Sequence, residues 1–453
     1  MTQLAENKFA HQPQYRRLID RQRGDAFVRA LRERGIERFD EVGFPPTTDE
    51  DWRLTNVTPI ARVPFALGEL TEDESARELA ARFTLGDAAA TEIVVVNGHC
   101  SQRLSRLGKS VRGDTVTDLA SALNRHPHLV EPHLGRYAKI EANPFVALNT
   151  GFLHDGVCVH VARGAAVQKP IHLLHISTQG ETPTVSHPRA LIVVEEGAQA
   201  TIVETYVGSP GVYWTNAVTE IVAAPGAIID HCRLQQESHQ AFHVATLAVH
   251  MSEQSNFVSH SATLGAALTR NDLTVTMAGP RAEATLNGLV ILSGRQHADN
   301  HTLLDHTQPN CPSHELYKHL LSDTSSGVFK GKILVRPDAQ KTDSKQTSKS
   351  LLLSDTATMN SQPALEIYAD DVKCTHGSTT GPVDEEMVFY LRSRGVSMEA
   401  ARHLLAYAFA ADVTRRIRVA PIRERIEDFL AAQHGLPRDL RITDIGAHDE
   451  AAR

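Results

Sequence analysis

The sequence predicts a mainly β protein, a parallel β-solenoid flanked by α-helical regions at both ends. Helical periodicity is confined to the two ends of the chain, β-branched runs separated by Gly, Pro, Asn and Ser fill the middle, and strand starts recur at a roughly constant spacing. These three observations divide the chain into a mainly helical region over 1–142, a solenoid core over 143–381 and a helical region over 382–453.

The N-terminal region reads as helices interrupted by one strand. FVRALRERGIERFDEVG places Val28, Leu31 and Ile36 at helical intervals and ends beside Gly43, which predicts a helix that stops there. TEIVVVNG over 91–98 predicts a short buried strand closed by a turn. DLASALNRH, further on, returns to the helical pattern.

A recurrence of strand starts favours the solenoid. Gly164, Gly197 and Gly226 each precede a strand, at steps of 33 and 29 residues, and similar starts follow at Asn256 and Glu283. Such a period with strands and no helix in between is typical of stacked coils, none of which buries its apolar face alone. A β-sandwich is the alternative, with strands at a steadier spacing of about 8–12 residues.

Several core segments are harder to assign. The alternation in AIIDHCRLQQE is imperfect, so it does not show which side of that strand points inward. The Ser/Thr-rich, cationic stretch that follows Lys332 is expected to be a solvated loop or the edge of a coil. A strand is expected over ALEIYADDVKCTHG, with a turn between Gly377 and Gly381.

Two helices are predicted after the core. Asp384 is the expected N-cap of the first, which ends at Gly395, and Ser397 caps the second. The second helix carries an apolar stripe of residues four apart, namely Leu405, Phe409, Val413 and Ile417. This stripe packs either on its own domain, which is the commoner case, or on a partner.

Composition excludes several classes of function. With 46 basic and 54 acidic residues and a net charge of -8, the chain lacks the footprint of a nucleic-acid binder. No apolar run is long enough for a signal peptide or a membrane span, which predicts a soluble cytoplasmic protein without membrane contact. The five cysteines are widely separated, so they are expected to be reduced thiols and mostly buried.

Motifs for common enzyme chemistry are missing. GVFKGKI, around Lys332, does not fit the phosphate-binding loop G-x-x-x-x-G-K-[ST], so no ATP hydrolysis is expected of this chain. There is no G-x-S-x-G nucleophile elbow. A β-helical carbohydrate-active enzyme would need paired carboxylates and aromatic platforms, which 5% aromatic residues and no evident acid pair do not favour.

Cys374 and His376 form the one candidate metal site. Residues two apart in a strand share a face, so both side chains point the same way as Val372. Thiolate and imidazole are suitable ligands for iron, zinc or an iron-sulfur cluster, and Lys373 would favour the thiolate. Two ligands do not hold a metal, so the pair is either part of a site completed elsewhere or a buried cysteine beside an incidental histidine.

Three segments together resemble a known family. They are DDVKCTHGSTTG followed by DEEMVFYLRSRG, GFPPTTDEDWRLTNV over 43–57, and NPFVALNTGFLHDGVCVHVARGAAVQKPIHLLHI over 143–176. They are similar to the SufB/SufD family of the SUF iron-sulfur cluster assembly machinery. Cys-Thr-His-Gly stands where SufB typically has Glu-His-Glu-Ala, so the resemblance is to the SufD branch.

This resemblance implies a right-handed parallel β-helix and a non-enzymatic scaffold role. It implies pairing with SufB through the β-helix, binding of the SufC ATPase through the C-terminal helical region, and a nascent cluster or iron at the SufB interface. His376 matches the interface histidine of the family, and Cys374 the cysteine two residues before it. A homodimer of the isolated chain and reduced flavin in the assembled complex are further expectations. The alternative is a purely structural subunit that positions SufB and SufC without touching iron.

Overall fold

The computed structural model describes residues 11–21, 26–108 and 114–433. The α-helices of these residues are α1 (Gln12–Arg21), α2 (Ala26–Val42), α3 (Thr58–Arg62), α4 (Glu74–Phe83), α5 (Leu119–Arg125), α6 (Pro127–Val130), α7 (Pro144–Gly151), α8 (Glu385–Ser393), α9 (Met398–Thr414) and α10 (Ala420–Gln433). Short 3-10 helices lie at Glu50–Trp52 and Gly86–Ala88.

The first twelve strands are β1 (Ala66–Leu67), β2 (Thr91–Val96), β3 (His99–Arg106), β4 (Thr115–Asp118), β5 (Val157–Val161), β6 (Ile171–Ser177), β7 (Thr184–Ser186), β8 (Arg189–Val194), β9 (Gln199–Gly208), β10 (Tyr213–Ala223), β11 (Ile228–Gln236) and β12 (Phe242–Met251). The strands that follow are β13 (Asn256–Thr263), β14 (Leu268–Met277), β15 (Glu283–Leu292), β16 (His297–His306), β17 (Pro312–Leu321), β18 (Ser326–Val335), β19 (Asp343–Leu352), β20 (Thr358–Ser361), β21 (Ala364–Ile367) and β22 (Lys373–Pro382).

The strands form a β-solenoid of about 8 turns. The chain alternates between two sheets, one running from β5 through β8, β10, β12, β14, β16 and β18 to β20, the other from β6 through β9, β11, β13, β15, β17 and β19 to β22. Along both sheets each coil pairs with the next in parallel and in register. The structure confirms the predicted mainly β solenoid with helical regions at both ends and excludes the β-sandwich.

The recurring glycines mark one corner of the solenoid. Gly164, Gly197 and Gly226 have φ of 67°, 65° and 69°, the left-handed region that glycine adopts at no steric cost. The same corner continues, with positive φ, at Gln254, Arg281, Asn310 and Lys341. The residue after each corner is small and buried: Ala165, Ala198, Ala227, Ser255, Ala282, Cys311 and Thr342. The period therefore runs further than the glycines reveal.

Helices cover the outer face of the second sheet. Helix α9 packs on β15 and β17, and Ala406 and Tyr407 of this helix share an apolar cluster with Cys232 of β11. On the same strand His231 is fully buried on the inward side. Both faces of β11 are thus largely buried, which explains the imperfect alternation in its sequence.

Charged groups lie inside the solenoid. Burial alone would raise the pKa of Glu204, but its hydrogen bond to His231 (Oε2 to Nε2, 3.0 Å) and the charges of His231 and Arg233 lower it to about 2. Arg233 in turn contacts Nε2 of His243 at 2.9 Å. A buried carboxylate is tolerated only when it is paired and hydrogen-bonded in this way.

The Ala-Leu-Asn-Thr element over 147–150 lies in α7 and binds this helix to the solenoid through hydrogen bonds. Arg189 of β8 donates to Asn149 Oδ1 (3.1 Å) and Thr150 Oγ1 (3.3 Å) of α7, and to Glu220 Oε2 of β10 (2.6 Å). All four side chains are buried. This part of the family-like sequence therefore has a structural role.

The segment around Trp52 packs against the outer face of the first sheet. The Arg270 guanidinium lies over the Trp52 ring at 4.4 Å and contacts Asp299 Oδ2 at 2.7 Å. Thr55 donates to the same Asp299 carboxylate. The segment fastens the N-terminal region to coils far along the chain.

Asn143, the first residue of the predicted core, is the N-cap of α7. Two local predictions are wrong. The stretch that follows Lys332 is not a solvated loop: β19 runs through it with Ser344, Gln346, Ser348 and Ser350 buried inside the solenoid. Residues 377–381 form no turn but continue β22, and the chain crosses between sheets earlier, over 368–372.

The C-terminal helices begin as predicted. Asp384 accepts hydrogen bonds from the Glu386 and Met387 amides, and Ser397 accepts one from the Ala400 amide. The predicted stripe on the second helix is partly wrong. The buried residues of this helix include Ala406, Tyr407, Ala410 and Val413, whereas Leu405 and Phe409 are half-buried and Ile417 is buried beyond the end of the helix.

The remaining expectations concern the cysteines, membrane-spanning helices and the bounds of the three regions. All five cysteines are free, and Cys158, Cys232 and Cys311 are buried. Within the described ranges, no helix is long and apolar enough to cross a membrane. The division at 142 and 381 stays a prediction, and residues 1–10 and 434–453 of the predicted terminal regions lie outside the described residues.

Candidate functional site

Strand β22 lies at the end of its sheet and carries both predicted site residues. Its only strand neighbour within the described chain is β19, with Cys374 opposite Ser344 and His376 opposite Gln346. Ser344 and Gln346 face the interior and are buried. Inward-facing residues at the same register position of successive coils form a column, and Cys374 and His376 are the last members of two such columns. We call β22 the open end of the solenoid.

His376 and Cys374 differ in their surroundings. His376 is exposed, and its ring makes no hydrogen bond to another described residue. Cys374 is half-buried against the apolar interior. Burial raises the pKa of the Cys374 thiol, opposed in part by a hydrogen bond with the Ser344 backbone, while the Asp343 charge raises it further. This shift is opposite to the one expected from Lys373, and it disfavours the thiolate.

The site is incomplete within the described part of the chain. No group of three or more His, Cys, Asp or Glu side chains that could hold a metal ion is present among these residues. The structure therefore brings the two predicted residues to one face, as the strand periodicity implied, but adds no third ligand from this part of the chain.

A polar column lies directly beneath His376. Gln346 of β19 is opposite His376, and Glu315 of β17 is opposite Gln346. The Gln346 amide donates from Nε2 to Glu315 Oε2 at 2.6 Å. Burial raises the pKa of Glu315 to about 7, although its hydrogen bond with Gln346 lowers it. The protonated and ionised forms of this carboxyl group are thus about equally populated near physiological pH.

The inward face of β19, one coil below the open end, is polar. The hydroxyls of Ser348 and Ser350, both nitrogens of His319 and Oε1 of Gln346 are buried without a hydrogen-bond partner. These residues were missed because a segment of Ser, Thr, Gln and Lys lacks the apolar alternation of a strand. The signal was nevertheless there, since the outward-facing Lys345 and Lys349 alternate with the smaller polar residues Ser344, Gln346, Ser348 and Ser350 at the period of a strand.

A second surface also went unnoticed. Helix α8 exposes Met387 (50%), Phe389 (73%) and Tyr390 (54%), and Met398 at the start of α9 is 41% exposed. Large apolar side chains this exposed and this close in sequence are typical of an interaction surface. We call these four residues the α8 patch.

Two family models match the chain. The model described as SUF system FeS cluster assembly, SufBD core domain, matches residues 175–409, and the model of the SufBD protein N-terminal region matches residues 7–173. Together they span nearly the whole solenoid with its flanking helices. The boundary between the models falls within β6, inside the solenoid.

Relatives similar over most of the chain carry matching names. An iron-sulfur cluster assembly SufBD family protein of Synechocystis is 31% identical, over 90% of this chain and 92% of the relative. The iron-sulfur cluster assembly protein SufD of Escherichia coli is 30% identical, over 86% of this chain and 89% of that protein. SufD of Bacillus subtilis is 23% identical, over 88% and 92%.

Glu315→Gln is expected to remove a pH-dependent loss of stability. A carboxyl whose pKa is higher in the folded than in the unfolded chain lowers the free energy of unfolding as pH rises from the unfolded toward the folded value. With a folded pKa of about 7, the variant should gain about 2–3 kcal/mol over the parent between about pH 5 and about pH 8.

Urea unfolding at a series of pH values measures this difference. Ser348→Ala is the control, because it removes a buried polar group of the neighbouring column that does not titrate, and its effect should be the same at each pH. A constant difference between Glu315→Gln and the parent across this range would contradict the assignment.

Proposed function

This chain belongs to the SufBD family of the SUF system and takes part in iron-sulfur cluster assembly, and we propose that it does so as a non-enzymatic scaffold subunit. The observation that carries the proposal is the open end, where a strand with one free edge presents a histidine. A strand edge with unpaired backbone groups is a template for pairing with another chain. ATP-driven work would come from a separate ATPase, SufC.

SufB is the proposed partner at the open end. A solenoid needs a cap at each terminus, because its last coil otherwise leaves one side of its core uncovered. The buried, unpartnered polar atoms of Gln346, Ser348 and Ser350 lie one coil below this edge. A related β-helix would extend the stack and supply polar contacts, whereas a second copy of this chain is the competing occupant when SufB is absent.

His376 is the proposed ligand for iron or a nascent cluster at that interface. It is exposed and its ring is free of intramolecular hydrogen bonds to described residues, so a ring nitrogen can bind iron. SufB would supply the remaining ligands. Cys374 is the less favoured ligand because burial disfavours its thiolate. A mixed site with imidazole binds a cluster less firmly than several thiolates, which suits transfer to other proteins.

The α8 patch is the proposed docking surface for SufC. It lies in the C-terminal helical region, which begins directly after β22. Aromatic and methionine side chains are enriched at the centre of interfaces. Binding of reduced flavin stays a prediction from the family resemblance.

His376→Ala is expected to lower iron-sulfur cluster formation on the complex with SufB and SufC by at least about tenfold, because a ligand is lost. Anaerobic absorption and Mössbauer spectra of the purified complex measure it. His314→Ala, at an exposed position of β17 on the outward side of the same sheet, is the matched control. A parental cluster signal in His376→Ala would favour the alternative, a structural subunit that touches no iron.

Phe389→Asp is expected to weaken SufC binding at least about 30-fold, since a buried charge replaces an interface aromatic residue. Co-purification and titration calorimetry measure it. Leu70→Asp changes an apolar residue of 46% exposure outside the α8 patch and should leave SufC binding intact. Equal SufC affinity of the Phe389→Asp chain and its parent would rule out the α8 patch as the docking surface.

A further inference from the structure

The amide of Gln346 is held in one orientation beneath the open end. Its Nε2 donates to the Glu315 carboxylate at 2.6 Å, on the side of the preceding coil. Across the interior, Gly331 of β18 leaves room for it, since a Cβ at this position would collide with the Gln346 amide nitrogen. The Gln346 side chain is 1% exposed, so neighbours fix it on all sides.

The other end of this amide has no partner. Gln346 Oε1 is buried and accepts no hydrogen bond within the described structure. The oxygen and nitrogen of an amide diverge from Cδ, so with Nε2 bonded to the preceding coil Oε1 lies on the side of the amide away from Glu315. The residue opposite Gln346 in the next coil is His376. An unsatisfied buried acceptor costs about 1–3 kcal/mol, so a donor at this place would be favoured.

We propose that Gln346 is a positioning residue for His376. When a partner closes the open end, one imidazole N–H of His376 donates to Gln346 Oε1. The tautomer and ring direction of His376 are then fixed, with the lone pair of the other nitrogen directed away from the interior toward iron. The inference rests on the proposed function of His376 as an iron ligand.

Metal-binding histidines are commonly held in this way by a second hydrogen bond. The partner accepts the proton of one ring nitrogen, which leaves the other nitrogen unprotonated for the metal. Loss of such a partner typically costs about 10–100-fold in metal affinity. The Glu315 carboxylate contributes by keeping the amide from turning over, since an ionised carboxylate accepts but does not donate.

A double-mutant cycle tests the inference. Gln346→Met keeps the length of the side chain but removes the acceptor, and it is made alone and together with His376→Ala. The affinity of the assembled complex for Fe²⁺ alone is measured anaerobically, by competition with a chromogenic chelator, at about pH 8, where Glu315 is mostly ionised. Ser313→Ala, which removes a buried hydroxyl from the interior one coil further from the open end, is the control for a changed polar interior.

The expected result is a loss of about 10–100-fold in Fe²⁺ affinity for Gln346→Met, none for Ser313→Ala, and no further loss when Gln346→Met is added to His376→Ala. An equal loss from Gln346→Met in both backgrounds would show an effect that does not act through His376 and would overturn the inference alone. An unchanged affinity in His376→Ala would overturn the ligand role as well. The thermal midpoint of each complex separates these outcomes from a failure to fold.

Discussion

Hydrogen bonding of each coil to the next, in parallel and in register, is the interaction on which the rest of this structure depends. It fixes which residues stack into columns, and it leaves a free edge wherever the stack ends. At the N-terminal end the chain closes the sheets itself, through the antiparallel strands β3 and β4. At the other end β22 has no such cover in the described chain, and there the columns continue into exposed side chains.

Polar groups are buried along much of the solenoid interior. In the middle coils Glu204 is hydrogen-bonded to His231, which compensates its burial, whereas both ring nitrogens of His175 have no partner. On β19, one coil below the open end, the buried polar atoms of Gln346, Ser348 and Ser350 also lack partners. An unsatisfied buried polar atom costs free energy of folding, so this face of β19 stabilises the last coils less than an apolar face would.

Much of the fold could be predicted from the sequence, because the repeat of the solenoid shows in glycines at positions where the backbone needs a positive φ. Gly164, Gly197 and Gly226 show the left-handed corner, and the strand period of two places Cys374 and His376 on one face. The role of β19 could not be read the same way, because its inward face is polar and resembles a loop. Gln346 is recognised only once register puts it beneath His376.

Hydrogen exchange of β22 tests most directly whether the open end is an interface. In the dilute isolated chain the amides of residues 373–382 that face away from β19 should exchange freely, and in the complex with SufB and SufC they should slow by at least about tenfold. Mass spectrometry of the peptide covering these residues measures both states. Equal exchange of this peptide in the free chain and in an intact complex would contradict the account.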